Sequence, residues 1–232
     1  MLRGFSLEVR RAYWELLRKS RNRPQEQRAE LLHDIWRKSP LKTRTPWREQ
    51  EFLVVDAETS GLQVKSSELL SLGWVVIRDG RIPLQSARHI LIRPEKGVGA
   101  SATVHQLRDC ELEEGMTEAE ALLELLQAAC GRVLVFHHAP LDMAFLNRAC
   151  WRSFRLPLLL PVIDTMAIEK RSLDHKHIPL VRNALRLSSC CTRYGLPPGT
   201  VHNALSDALA TAQLLLAQVA HKGGRVRLED LL

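Results

Sequence analysis

Several features are missing from this chain, and each absence narrows what it can be. No apolar run in its 232 residues approaches the ~20 residues of a membrane-spanning helix, so no membrane association is expected. The five cysteines (Cys110, Cys130, Cys150, Cys190 and Cys191) form no Cys-x-x-Cys pattern. An odd count without a secretory signal points to reduced thiols and a cytoplasmic location. Adjacent Cys190 and Cys191 read as small buried helix residues, not as a redox pair. There is no internal repeat and no low-complexity tract. Net charge is also absent from most of the chain: residues 51–232 contain twenty Lys/Arg and twenty Asp/Glu. The formal charge of +7 therefore resides in residues 1–50, where thirteen Lys/Arg face six Asp/Glu.

What remains is an ordinary globular composition, 45% apolar and 25% charged. The length suits one α/β domain of about 170–180 residues plus an appendage. The expected division is a basic helical arm and linker over 1–50, a main domain over 51–221 and a short tail over 222–232. In the arm, Phe5 to Lys19 and Gln25 to Lys38 place apolar residues at helical spacing, and Lys38 to Glu49 with Pro40 and Pro46 reads as a linker. Such an arm could pack on the domain, touch nucleic acid phosphates or dock a partner through its tryptophans. Glu8, Glu15 and Glu26 argue against an organelle transit peptide.

Three stretches carry chemistry together. They are Val55-Asp56-Ala57-Glu58-Thr59, Phe136-His137-His138-Ala139-Pro140-Leu141-Asp142 and His202-Asn203-Ala204-Leu205-Ser206-Asp207. Phe52-Leu53-Val54-Val55 has the pattern of a buried strand, so Asp56 and Glu58, two apart, point from the same side of an extended chain. Arg132 to Phe136 is a second such strand, and Pro140 suits the first turn of a helix that holds Asp142. Leu158 to Ile163 is a third, ending at Asp164-Thr165. Acids placed repeatedly just past strand ends suit an open α/β sheet, whose ligands bind at the carboxyl ends of its strands. His202 and Asp207 are five residues apart and cannot share a helical face. The histidine therefore belongs to the loop before a helix, and the aspartate to its first turn.

Clustered carboxylates repel one another unless a cation lies between them. An all-oxygen donor set selects hard cations, so two Mg²⁺ or Mn²⁺ ions are expected and zinc is not. Such a pair clamps the attacking and leaving oxygens of a phosphoryl transfer, and neutral His202 would accept the proton of the attacking water.

These residues resemble the DnaQ-like family of 3′–5′ exonucleases, in the DEDDh branch of the RNase H-like fold, a family that includes the proofreading epsilon subunit of bacterial DNA polymerase III. The resemblance runs from about Glu51 to His221. Val55 to Leu62 is similar to the family's first motif, and His202 to Ala208 to its third. Ala102-Thr103-Val104-His105 resembles the segment that lines the pocket for the terminal nucleotide. The resemblance implies that Asp56, Glu58 and Asp207 hold the tighter metal, with Asp56 reaching the second and Asp142 acting largely through water. It implies a substrate pocket that includes Thr59, Gly61, Leu62, Val104 and His105, with Leu62 wedged against the terminal base. The second motif departs from the family pattern: His138 replaces an asparagine and Leu141 a phenylalanine.

The remaining sequence fits the same fold. Leu69 to Ile77 and His89 to Arg93 alternate as two strands joined through a turn at Asp79-Gly80, and Glu118 to Cys130 reads as a helix. The expected order is β-β-β-α-β-α-β-α-α. That order resembles the family's five-stranded mixed sheet, with the first strand central and the second antiparallel to it. Asp174-His175-Lys176-His177 reads as a solvated loop and His137 as a residue that orients its neighbours, while His33 and His221 carry no usable signal. The resemblance implies an enzyme that releases nucleoside 5′-monophosphates from the 3′ ends of single-stranded DNA in proofreading or repair, with a DNA polymerase subunit as a partner. One alternative keeps the chemistry and changes the substrate to RNA. Another, of a different class, is a non-catalytic nucleic-acid-binding or polymerase-accessory module, which would not need the complete set Asp56, Glu58, Asp142, His202 and Asp207. No clamp-binding peptide is recognisable near the carboxyl end, which favours a stand-alone enzyme.

Overall fold

The computed structural model describes residues 35, 38, 43–95, 112–155, 157, 158, 160–197 and 203–232. Its centre is β1 (Phe52–Thr59), flanked on one side by β2 (Leu69–Ile77) and β3 (Arg88–Leu91), and on the other by β4 (Val133–Phe136) and β5 (Val162–Asp164). The strand order is β3-β2-β1-β4-β5. β1 runs antiparallel to β2 and parallel to β4, which is parallel to β5. This is the expected α/β arrangement, a five-stranded mixed sheet with helices packed on it. All nine residues of β2 are buried, as a near-continuous apolar run in a sheet covered on both faces requires. Asp79 and Gly80 both take positive φ where Arg78 and Arg81 exchange backbone hydrogen bonds, the geometry of a tight hairpin turn.

Side-chain alternation along β1 divides the core. Leu53 and Val55 pack with α1 (Glu118–Ala129) and α2 (Ala139–Phe154). Phe52 and Val54 pack on the opposite face, with Ile168 of α3 (Thr165–His175) and Ala212, Leu215 and Val219 of α5 (Ala204–Lys222). Between these two helices lies α4 (Leu187–Arg193). Among the described residues three α-helices therefore follow β5 where the sequence suggested two. The additional seven-residue helix is too short to announce itself by periodicity, yet it buries Cys190 and Cys191 as expected. Asp174 and His175, read as loop, form the last turn of α3 and are solvent-exposed.

Segments that precede and follow the sheet-and-helix domain in sequence meet on the α5 face of the sheet. Trp47 lies in a short 3-10 turn, packs 6.3 Å from Phe52 and shares its cluster with Val226 and Leu228. The Trp47 amide donates to the Val226 carbonyl, and the amides of Leu228 and Glu229 donate to Thr45 and Thr43. Ile35 is fully buried in the opposite cluster, so the stretch before the linker also contributes to the core. No helix among the described residues is long and apolar enough to cross a membrane.

Candidate active site

Asp56 and Glu58 lie at the carboxyl end of β1, in phase with Phe52 and Val54, and so face α5. The ladder shifts register between Glu58 and Thr59, a bulge of the kind that re-aims side chains beside functional sites. On the facing helix, Asn203 accepts hydrogen bonds from the amides of Leu205 and Ser206, which fixes the start of α5 and leaves Asp207 in its first turn. One carboxylate oxygen from each of Asp56, Glu58 and Asp207 then falls within 4.8 Å of the others.

The approach depends on Gly73. It is the β1–β2 partner of Asp56, and a Cβ at this position would stand 2.2 Å from the Leu205 nitrogen and 2.3 Å from the Ala204 carbonyl carbon. No side chain fits there, so the helix start rests directly on the sheet beside Asp56. The glycine was legible in the sequence, but its role required the strand register.

Asp142 enters from the second motif. His138 takes a left-handed conformation at φ 79°, Pro140 follows in the first turn of α2, and Asp142 is part of that turn. Histidine is among the residues that tolerate this conformation more readily than most, so the replacement of asparagine at 138 keeps the turn. The His138 amide donates to Asp164 Oδ1 at 2.9 Å, and the Met166 amide donates to the same oxygen. Asp164 is thus the N-cap of α3 and a brace for the second motif. His137 is fixed equally firmly: Nδ1 lies 2.8 Å from Thr165 Oγ1 and Nε2 lies 2.8 Å from the Leu185 carbonyl. A carbonyl only accepts, so Nε2 carries a proton, and burial holds the His137 pKa below its usual value. His137 orients its neighbours, as expected.

The electrostatics match a cation site. Burial, and then the charges of Asp142, Asp207 and Glu58, push the Asp56 carboxyl well above the usual range. Burial pushes Asp142 up to about 7, against the opposing hydrogen bonds from its own backbone and that of Ala57. Groups in this state hold protons until a positive charge replaces them. Three converging carboxylates, with no nitrogen or sulfur donor grouped with them among the described residues, fit a hard divalent cation.

The loop after β1 completes the neighbourhood. Thr59 Oγ1 donates to the Gly61 carbonyl at 2.9 Å, and the Ser60 and Glu68 backbones close the loop. A Cβ on Gly61 would meet Ser67 Oγ at 2.8 Å. Arg148 of α2 donates to the Val64 and Ser67 carbonyls and ties the loop to the Asp142 helix. Leu62 stands at the tip, 78% exposed. Nothing local in the sequence pointed to Arg148, because its partners lie more than eighty residues away. His202, Val104 and His105 fall outside the described residues.

A sequence model of the exonuclease family matches residues 53–215. The chain belongs to the DnaQ-like exonuclease family. Among its relatives, the PolC-type DNA polymerase III of Thermotoga petrophila is 31% identical over 183 residues, 78% of this chain but 13% of the polymerase. The DNA polymerase III epsilon subunit of Treponema pallidum is 27% identical, over 73% of this chain and 77% of the subunit. The chain thus spans a small part of the PolC-type polymerases and most of that epsilon subunit. Its fold is shared with a zinc-bound complex of E. coli exonuclease I with single-stranded DNA, at TM-score 0.63, 14% identity, 75% of this chain and 41% of that one. Cell-death related nuclease 4 is similar at TM-score 0.62 and 14% identity, covering 75% of this chain and 65% of the nuclease. These likenesses place the chain among RNase H-like exonucleases.

Proposed function

We propose that this chain is a DEDDh-type 3′–5′ exonuclease that hydrolyses the terminal phosphodiester of single-stranded DNA and releases nucleoside 5′-monophosphates. The observation that carries the reading is the convergence of Asp56, Glu58 and Asp207 within 4.8 Å, with Asp142 acting on Asp56 through its charge. DNA is favoured over RNA because the relatives include DNA polymerase III proteins, and a solved neighbour is a complex with single-stranded DNA. Those relatives also motivate a role in proofreading or repair in the cytoplasm, beside a polymerase subunit.

Asp56, Glu58 and Asp207 would supply the donors for Mg²⁺ or Mn²⁺, two ions per site with Asp56 serving both. Such a pair, when bound, stabilises charge on the attacking and leaving oxygens of a phosphoryl transfer. The residues do the rest. His202 directly precedes the Asn203 cap in sequence; in its neutral form it takes the proton from the attacking water. Leu62 presents an apolar surface to the terminal base, with Thr59 and Gly61 shaping the loop beneath it. Val104 and His105 complete the nucleotide pocket.

Matched DNA and RNA oligonucleotides, 5′-end-labelled and digested under one set of conditions, test the substrate. The expected result is faster stepwise shortening of DNA. Equal or faster shortening of RNA would move the assignment to the exoribonuclease alternative.

A further inference from the structure

The segment between α3 and α4 is chemically unlike the rest of the domain. Residues 175–186 contain Lys176, Arg182 and Arg186 and no Asp or Glu, within a region, 51–232, that carries no net charge as a whole. All three cations are exposed, and none makes a side-chain hydrogen bond or ion pair among the described residues. Interleaved with them are Ile178, Leu180 and Val181, which are 46%, 43% and 70% exposed. A cation near the end of α3 complements the helix dipole, which accounts for Lys176. It does not account for Arg182 and Arg186, which precede a helix.

This segment is held in place: its carboxyl half lies beside the site, and Lys176 lies farther out, near His221 and Lys222 at the end of α5. His137 donates through Nε2 to the Leu185 carbonyl, and Arg193 donates to the Ala184 carbonyl at 3.0 Å. Backbone hydrogen bonds from Ala184 to Val181 and from Arg186 to Asn183 shape its carboxyl half. His177 and Asn183 turn it at positive φ. Because His137 begins the second motif, the anchor sets residues 184–186 beside the carboxyl ends of β4 and β5, where Asp142 also emerges.

We propose that residues 176–186 hold the polynucleotide strand on the 5′ side of the scissile bond, resting on the reading of the site as an exonuclease. Lys176, Arg182 and Arg186 meet successive phosphates, and the exposed aliphatic side chains lie against base faces. The uncompensated positive charge selects a polyanion over a protein partner as the occupant. Such contacts are independent of base sequence and serve a strand that must advance one nucleotide at a time.

The test uses the full chain and the triple variant Lys176→Gln, Arg182→Gln, Arg186→Gln. Binding of a fluorescent 20-nucleotide single strand is measured by anisotropy in chelator, where no turnover is required. Hydrolysis of a dinucleotide is followed separately with Mn²⁺. The expected result is a loss of strand affinity of about 10-fold or more, with a salt slope shallower by about 2, at ~0.7 per phosphate contact. Dinucleotide turnover stays within about twofold, because no metal ligand is altered. A second variant, Ile178→Ser with Val181→Ser, should weaken strand binding and leave the salt slope unchanged. Unchanged strand binding by the triple variant overturns the proposal, and a simultaneous fall in sedimentation mass would assign the surface to contact between copies. Parallel loss of strand binding and dinucleotide turnover also overturns it, by tracing the effect to the active site. Failure of the exonuclease reading is seen elsewhere, as absence of any hydrolysis by the unsubstituted chain.

Discussion

Gly73 stands opposite Asp56 in the β1–β2 ladder, and the start of α5 occupies the space its side chain would need. The carboxylate cluster exists because a strand residue without a Cβ lets Asp207 descend to the sheet. Gly73→Ala would drive a methyl group to 2.2 Å from backbone that cannot swing aside. Overpacking of this kind costs about 1–3 kcal/mol, and a displacement of ~1 Å at reacting groups can cost 10²-fold in rate. The variant should therefore lose far more activity than stability, as read by single-turnover rates beside urea unfolding. Native activity in Gly73→Ala would show that the close approach is dispensable.

Arg148 supports the Leu62 loop without belonging to the carboxylate set. Arg148→Met should loosen the loop and raise KM for oligonucleotides by about 10-fold while changing kcat little, the pattern of lost substrate binding. Arg148→Lys, which keeps one donor group, should recover part of the loss. A fall in kcat with unchanged KM would instead place the effect at the carboxylates.

On the proposed function, protons and a divalent cation compete at the site. In the cation-free protein Asp56 and Asp142 hold protons at pH values where an unfolded aspartate, with a pKa of about 3.9, has lost its own. For Asp142 the native state therefore binds more protons between pH ~4 and about 7, and its contribution to stability falls as pH rises through that window. A divalent cation displaces these protons, so its affinity rises with pH. The gain in Tm on adding Mn²⁺ should be larger at pH 8 than at pH 5, and Asp142→Asn should reduce the difference. An equal gain at both pH values would separate the cation from these carboxylates.

The β1 and β4 strands were legible because each is a short apolar run, β2 because its residues alternate, and β1 ends in acids whose two-residue spacing fixes a shared face. Asp142 and Asp207 were legible as helix-start acids after Pro140 and before the alanine-rich α5. What could not be read depends on distant pairing. Gly73 means nothing until register sets it against Asp56, and Arg148 meets its carbonyls only after folding. Asp164 looked like one more acid at a strand end, yet its oxygen caps α3 and holds the His138 amide. Trp47 and the 226–231 segment have no local pattern, since each finds its partner across the chain.

His202 offers a direct handle on proton transfer. As the proposed general base it must be neutral, so the single-turnover rate should rise with pH through an apparent pKa near the reference value of about 6.5, displaced by neighbouring charge. His202→Ala should lower the rate by roughly 10²–10⁴-fold and leave cation binding nearly intact. Loss of cation binding would make it a ligand, and full activity across pH 6–9, with chemistry rate-limiting, would remove it from the mechanism.

On the proposed function, four carboxylates work through a divalent cation at a 3′ end. The most direct measurement follows a 5′-end-labelled single strand, incubated with Mg²⁺ or Mn²⁺ and with either the native chain or Asp56→Ala. The predicted result is a ladder that shortens by one nucleotide at a time from the 3′ end, abolished by EDTA and absent with Asp56→Ala. Hydrolysis that persists in excess EDTA, survives Asp56→Ala or cuts only internally would contradict it.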